Sequence, residues 1–264
     1  DLNKGIQAKI QIIVDGTDAN SATIIMGYLA RMILGYSEHI LAEFTDQVLP
    51  GRISPQPRIW YNPELKSSTY MVPGVICLIL LLTTLILTSM AITKERETGT
   101  IEQLLVSPIR SWELIIGKTV PFLFIGFLDV GIILLAGKLI FDVPVRGSLL
   151  LLFGVSFLFI LTTLSLGLFI STISRTQQQA MMSAFFFIIP AMLLSGIFTP
   201  IESMPVSIQY ITLLNPLRHF SRVIRGILLK GNDLGIIWPE ILALFLMGTA
   251  TIILSSMRFK KHLD

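Results

Sequence analysis

Few residues in this sequence have the type and setting for chemistry, and they are scattered. Asp129 stands alone in the apolar run GFLDVGII. A carboxylate in such a run costs about 2.5–3.5 kcal/mol to insert into a bilayer and therefore faces a cavity or a partner. Two readings stay open for it: a site on a translocation path, or a group bonded to a neighbouring helix. Gly117-Lys118-Thr119 ends like the phosphate loop GxxxxGK[ST], but Trp112 stands where the first glycine belongs. No strand precedes it either, so this chain is not expected to bind ATP itself. His39, His219 and His262 are too dispersed for a metal site, so no metal is expected. No HExxH, GxSxG or paired intramembrane carboxylates occur, which argues against a membrane-embedded enzyme. Cys77 is the single cysteine, so no intrachain disulfide framework is possible.

The composition explains why so little chemistry is on offer. Of 264 residues, 53% are hydrophobic and 14% charged, against about 25% charged in a soluble domain. A net charge of +3 is too small and scattered for nucleic-acid binding and fits basic residues at membrane edges.

The expected fold class is an α-helical polytopic membrane protein with a small α/β extracytoplasmic domain. Residues 1–70 form that domain. AKIQIIVDG (8–16) alternates like a half-buried strand, and RIWY (58–61) looks like a second. Between them, Asp18 or Asn20 can cap a helix whose apolar positions Ile25, Leu29, Met32, Ile33, Tyr36 and Ile40 recur at three and four. Residues 71–264 form the transmembrane domain, with five spans expected near 71–93, 115–140, 148–171, 178–198 and 236–257. Each is close to the roughly 20 residues that cross the hydrocarbon core, and backbone there must be helical. Residues 199–235, broken by Pro200, Pro205 and Pro216, read as an external re-entrant or interfacial segment. In it Asn215, Pro216, Arg218, Arg222 and Arg225 are candidates for an external gate or for contact with lipid headgroups.

Orientation follows from basic residues in the connections. Lys94, Arg96, Arg110, Lys118, Arg175, Arg258, Lys260 and Lys261 fall on one side, and Arg146, Arg218, Arg222, Arg225 and Lys230 on the other. The first side is therefore expected to be cytoplasmic, with residues 1–70 outside and the C-terminus inside. Five spans would put the two ends of the chain on opposite sides, so a preceding helix is expected, making six.

Segment 94–114 is a charged hairpin between oily spans. Its first helix is expected to stop at Gly99, which tolerates the left-handed conformation. Thr100 and Gln103 form a capping box for a short helix to about Val106, with Ile101, Leu104 and Leu105 on one face. Lys94 and Glu97 are spaced to pair, whereas Glu95, Arg96 and Glu102 have no opposite charge three or four residues on. Such a hairpin is either a solvated loop or a contact for another molecule.

ERETGTIEQLLVSPIRSWELIIGK (95–118) resembles the cytoplasmic loop of type-2 ABC exporter permeases, the bacterial multidrug-efflux branch. The resemblance continues through STISRTQQQA (171–180), LLSGIFTPIESMP (193–205), NPLRHFSRVIRGILLKG (215–231) and IIVDGTDANSATI (12–24), so it covers essentially the whole chain. It implies a six-helix permease subunit in the bacterial inner membrane. Two such subunits, identical or paralogous, would assemble with two separate ATPase subunits that carry ATP and Mg. By family position Glu95, Arg96, Glu97, Gly99, Thr100, Glu102 and Leu105 are expected at the ATPase contact. The cargo is expected to be a small amphipathic compound, moved by alternating access. Met182 and Phe186, within a Met- and Phe-rich run, are candidates with Asp129 for the translocation path, against the plainer reading of packing. A periplasmic adaptor is a further partner that membership allows, carried by no residue. The alternative from another class is an ion-gradient-driven transporter with Asp129 as its ion site.

Overall fold

The computed structural model describes residue 12 and residues 19–43, 67–99 and 111–260. Contacts divide the chain into two units, Asp1–Tyr70 and Met71–Asp264. In the first unit the described element is helix α1, Ala19–Glu43, on the segment whose apolar spacing predicts it. It exposes Ile25, Met32 and Tyr36. Both expected strands lie outside the described residues, and no strand occurs among those described.

The second unit is helical: α2 Ser67–Glu97, α3 Ser111–Phe141, α4 Leu149–Ile173, α5 Gln177–Leu193, α6 Val206–Thr212, α7 Pro216–Arg225 and α8 Leu234–Lys260. Four described helices, not five, are long and apolar enough to cross a membrane: Ser68–Glu97, Ile116–Phe141, Leu149–Ile173 and Leu234–Ser255. The expected span 178–198 ends early. Its helix α5 has 17 residues, about 25 Å at 1.5 Å per residue, short of a hydrocarbon core of about 30 Å. Gly196 adopts φ +77° just beyond it, a left-handed turn that ends the helix before the apolar run is exhausted.

Helix α4 is the centre. It packs along α8, α3, α7 and α5, and α2 lies against it in the same direction through small and hydroxylated residues. Thr84 Oγ1 sits 2.7 Å from Thr163 Oγ1, and Thr93 Oγ1 sits 2.9 Å from Ser171 Oγ. Between those pairs Gly167 lets the backbones approach. A Cβ there would lie 2.8 Å from Thr88 Cβ and 3.0 Å from the Leu85 carbonyl oxygen. Thr163, Gly167 and Ser171 are spaced by four, the small-residue pattern that permits close helix packing where lipid removes the hydrophobic drive.

The segment after α5 folds back into the bundle. Pro205 precedes α6 and Pro216 opens α7, where a missing N–H and a fixed φ cost nothing. Seven residues of α7 are buried, and Phe220 stacks on Phe159 of α4 with centroids 4.1 Å apart. A π turn, Gly226–Lys230, follows. The α3–α4 connection grips it: Arg146 N donates to the Leu228 carbonyl at 3.1 Å, and a Cβ on Gly147 would lie 2.6 Å from the Ile227 oxygen. Helix α7 is thus packed among the other helices of this unit, with seven of its residues buried.

Gly167→Ala is expected to separate α2 from α4 and to lower stability by about 1–3 kcal/mol, the usual cost of overpacking. Gly154→Ala, where a Cβ meets nothing within 4 Å, is expected to be neutral or slightly stabilising. Unfolding midpoints of the two variants in detergent check this.

Candidate functional site

Three consecutive residues at the end of α2 each reach a different helix. Glu95 forms an ion pair with Lys118 of α3. Arg96 Nη1 donates to the carbonyls of Thr172 at 3.4 Å and Ser174 at 3.1 Å, at the C-terminal end of α4. Glu97 Oε2 accepts from the backbone N–H of Gln177 at 2.9 Å and from its side-chain amide at 3.1 Å, at the first residue of α5. The α4–α5 turn is therefore held by adjacent opposite charges. The cation meets the carbonyl-rich end of one helix and the anion the N–H-rich start of the next, as both helix dipoles favour. Thr176 adds the N-cap of α5, accepting from Gln179 N at 3.2 Å.

These contacts agree with the absence of an opposite charge three or four residues beyond Glu95 and Arg96. Their partners stand across the bundle, not three or four residues along α2. Glu97 is held by Gln177 rather than by Lys94. Gly99 has φ +74° and Gly99 N donates to the Arg96 carbonyl at 3.3 Å, the left-handed stop its position predicts. Thr100, Glu102 and Leu105 lie outside the described residues.

Asp129, part-buried on α3, accepts a hydrogen bond from Thr83 Oγ1 of α2 at 2.8 Å. It forms no ion pair among the described residues. Met182 and Phe186 lie on the exposed face of α5, with Phe186 84% exposed, while Ala180, Ala184 and Ala191 turn inward. The polar contact of Asp129 thus points to α2, and the Met and Phe side chains point outward from α5.

The segment from α6 to α7 carries a second polar cluster. Asn215 caps α7 by accepting from Leu217 N at 3.1 Å and donates through Nδ2 to the Ala191 carbonyl of α5 at 2.7 Å. Arg218 Nη1 donates to the Gln209 carbonyl at 3.1 Å and to Thr212 Oγ1. Burial, and then the neighbouring Arg222 cation, push the pKa of Arg218 below its usual value, with Glu240 and Glu202 opposing. Arg222 Nη1 donates to Glu240 Oε1 of α8 at 2.7 Å. His219 meets the other Glu240 oxygen through Nδ1 and the Leu213 carbonyl through Nε2 at 2.9 Å. Arg225 donates to the carbonyls of Gly196 at 3.1 Å and Ile197 at 3.4 Å.

The three arginines, expected at an external gate or at headgroups, are spent largely on backbone carbonyls and on Glu240, and only Arg222 stays half-exposed. Glu240 and His219 were missed as site residues. The available signal was a carboxylate two turns inside the apolar run of α8, which asks for a partner. Glu240→Ala is expected to leave buried His219 facing one acceptor instead of two and to lower stability by about 2–3 kcal/mol. Glu240→Gln, which keeps an acceptor, is expected to lose less. Thermal unfolding of the purified protein checks the order.

Residues 1–257 match the family described as ABC-2 family transporter protein. The chain is 37% identical over 244 residues to the probable multidrug ABC transporter permease YbhR of Escherichia coli (strain K12), covering 92% of this chain and 66% of that protein. It is 36% identical over 261 residues to the probable multidrug ABC transporter permease YbhS of the same strain, covering 97% and 68%. Against the inner membrane transport permease YhhJ, also from that strain, it is 34% identical over 265 residues, covering 99% and 70%. The chain spans about two thirds of the length of these relatives. A family match over nearly the whole sequence, on a bundle with four membrane-length helices, makes this chain a member of the ABC-2 transporter family.

Proposed function

We infer that this chain is the membrane-spanning subunit of an ATP-driven exporter that moves small amphipathic compounds out of the cytoplasm or the inner leaflet. The observation that carries the reading is the ABC-2 family match over residues 1–257, whose relatives include proteins named as multidrug ABC transporter permeases. ATP and Mg belong to a separate ATPase subunit. A second permease subunit, identical or paralogous, completes the membrane part. The hairpin end of the bundle faces the cytoplasm of a bacterial inner membrane, residues 1–70 lie outside, and a periplasmic adaptor is an optional further partner.

The contact with the ATPase is the short helix expected at 100–106 in the hairpin 94–114, with Thr100, Glu102 and Leu105 in the seat and Glu95, Arg96, Glu97 and Gly99 leading into it. The Glu95–Lys118 ion pair supports this reading by bringing the end of α2 beside the start of α3, so that the connecting residues emerge at one end of the bundle. Closure of the ATPase dimer on ATP presses on this segment, and the helices alternate between inward-open and outward-open arrangements. Binding energy at the ATPase is the drive, and this chain forms and breaks no covalent bond.

The test is co-expression of the full-length permease with its cognate ATPase and reconstitution in vesicles, comparing wild type with Glu102→Lys/Leu105→Glu. The double variant is expected to lose ATPase co-purification and ATP-dependent efflux by at least about tenfold, within the range of coupling between sites. Asp129→Asn, whose amide oxygen can still accept from Thr83, is expected to keep ATP-dependent efflux. Flux that ignores ATP, follows an imposed proton gradient and disappears in Asp129→Asn would overturn the exporter reading in favour of an ion-driven one.

A further inference from the structure

We propose that Arg96 and Glu97 carry displacement of the end of α2 into α5 and, through α5, into helix α7. The proposal rests on the reading of the segment 100–106 as the ATPase seat.

Three features of the bundle converge on it. The first is that the grip on α5 comes from the end of α2, three residues before the segment begins, so a pull on the segment is felt at once at Glu97. The second is how α5 is fastened. Its described polar ties to other helices sit at its two ends: Glu97 on Gln177 at the start and Asn215 on the Ala191 carbonyl near the finish. Between them it docks through Ala180, Ala184, Ile188 and Ala191, a ridge of mostly small side chains with no interhelical hydrogen bond among those described. A rod tied at both ends and smooth between them transmits displacement rather than absorbing it, because packed helices slide as units. The third is what lies at the far end. Asn215 is both the tie to α5 and the N-cap of α7, so α5 cannot shift without loading the start of that helix.

The opposite charges of Arg96 and Glu97 matter for direction. One holds the end of α4 and the other the start of α5, so the turn 174–176 is gripped on both sides and moves with α2 instead of flexing. Arg96 and Glu97 are thus positioning residues, distinct in role from Glu102 and Leu105, which would touch the ATPase itself.

The experiment uses the full-length permease with its ATPase, spin-labelled through cysteines placed at Leu193 on α5 and Leu246 on α8, both exposed. The buried Cys77 is left in place. In the otherwise wild-type complex, ATP with vanadate is expected to shift the Leu193–Leu246 distance distribution. In complexes that retain bound ATPase, Glu97→Ala is expected to lose the shift and to lower efflux at least about tenfold. Glu97→Gln, which retains an acceptor for Gln177 N, is expected to keep the shift, as is Lys94→Ala at an exposed neighbour. A full-amplitude shift in Glu97→Ala overturns the proposal. So does a loss of efflux that only follows a loss of folded protein or of bound ATPase. A complex in which even the wild-type permease recruits no ATPase overturns the underlying reading instead.

Discussion

A helix that stops short of the bilayer surface leaves backbone carbonyls or N–H groups in surroundings where water cannot satisfy them. Helix α5 has 17 residues, and polar side chains meet backbone groups at both of its ends. Glu97 and Thr176 take up N–H groups at its start, and Asn215 takes the Ala191 carbonyl near its end. Beyond α5 the chain turns back at Gly196, and Arg225 donates to the carbonyls of residues 196 and 197. Side chains that look like surface charge in the sequence are largely the partners of backbone groups that irregular geometry strands inside.

The helices divide into two kinds by how they are held. Helices α2 and α4 meet through Thr84, Thr93, Thr163, Gly167 and Ser171 at distances only small residues permit. Helices α3, α5 and α8 instead present broad apolar faces, with Phe124, Leu139, Phe186 and Leu246 well exposed. Close backbone approach combined with paired hydroxyls makes α2–α4 the stiff part of the bundle. Helix α5, by contrast, docks through Ala180, Ala184, Ile188 and Ala191.

The long elements were legible because an apolar run of about 20 residues has few alternatives in lipid. Gly99 and Pro216 were legible because their backbone preferences act locally. The end of α5 was not: LSGIFTP (194–200) continues the apolar run, and hydropathy does not register that Gly196 takes a left-handed turn there. Arg218, Arg222 and Arg225 suggested an in-plane helix by their shared face, yet the same residues also suit a buried helix surrounded by orphan carbonyls. Glu95 and Arg96 have no opposite charge three or four residues on, and spacing tests see only the next turn of one helix. Their partners lie 23 and some 80 residues away and become neighbours only when the bundle forms.

The same logic limits how α7 can move. Helix α7 is tied to α5 by Asn215, to the 195–197 turn by Ser221 and Arg225, and to α8 by His219 and Arg222 through Glu240. Removing one tie leaves a buried donor or acceptor without its partner, a penalty of about 1–3 kcal/mol for each group. Breaking several in sequence is then costlier than moving the set together. The economical motion is a rigid-body one, in which α7 follows α5 and the start of α8 adjusts with it.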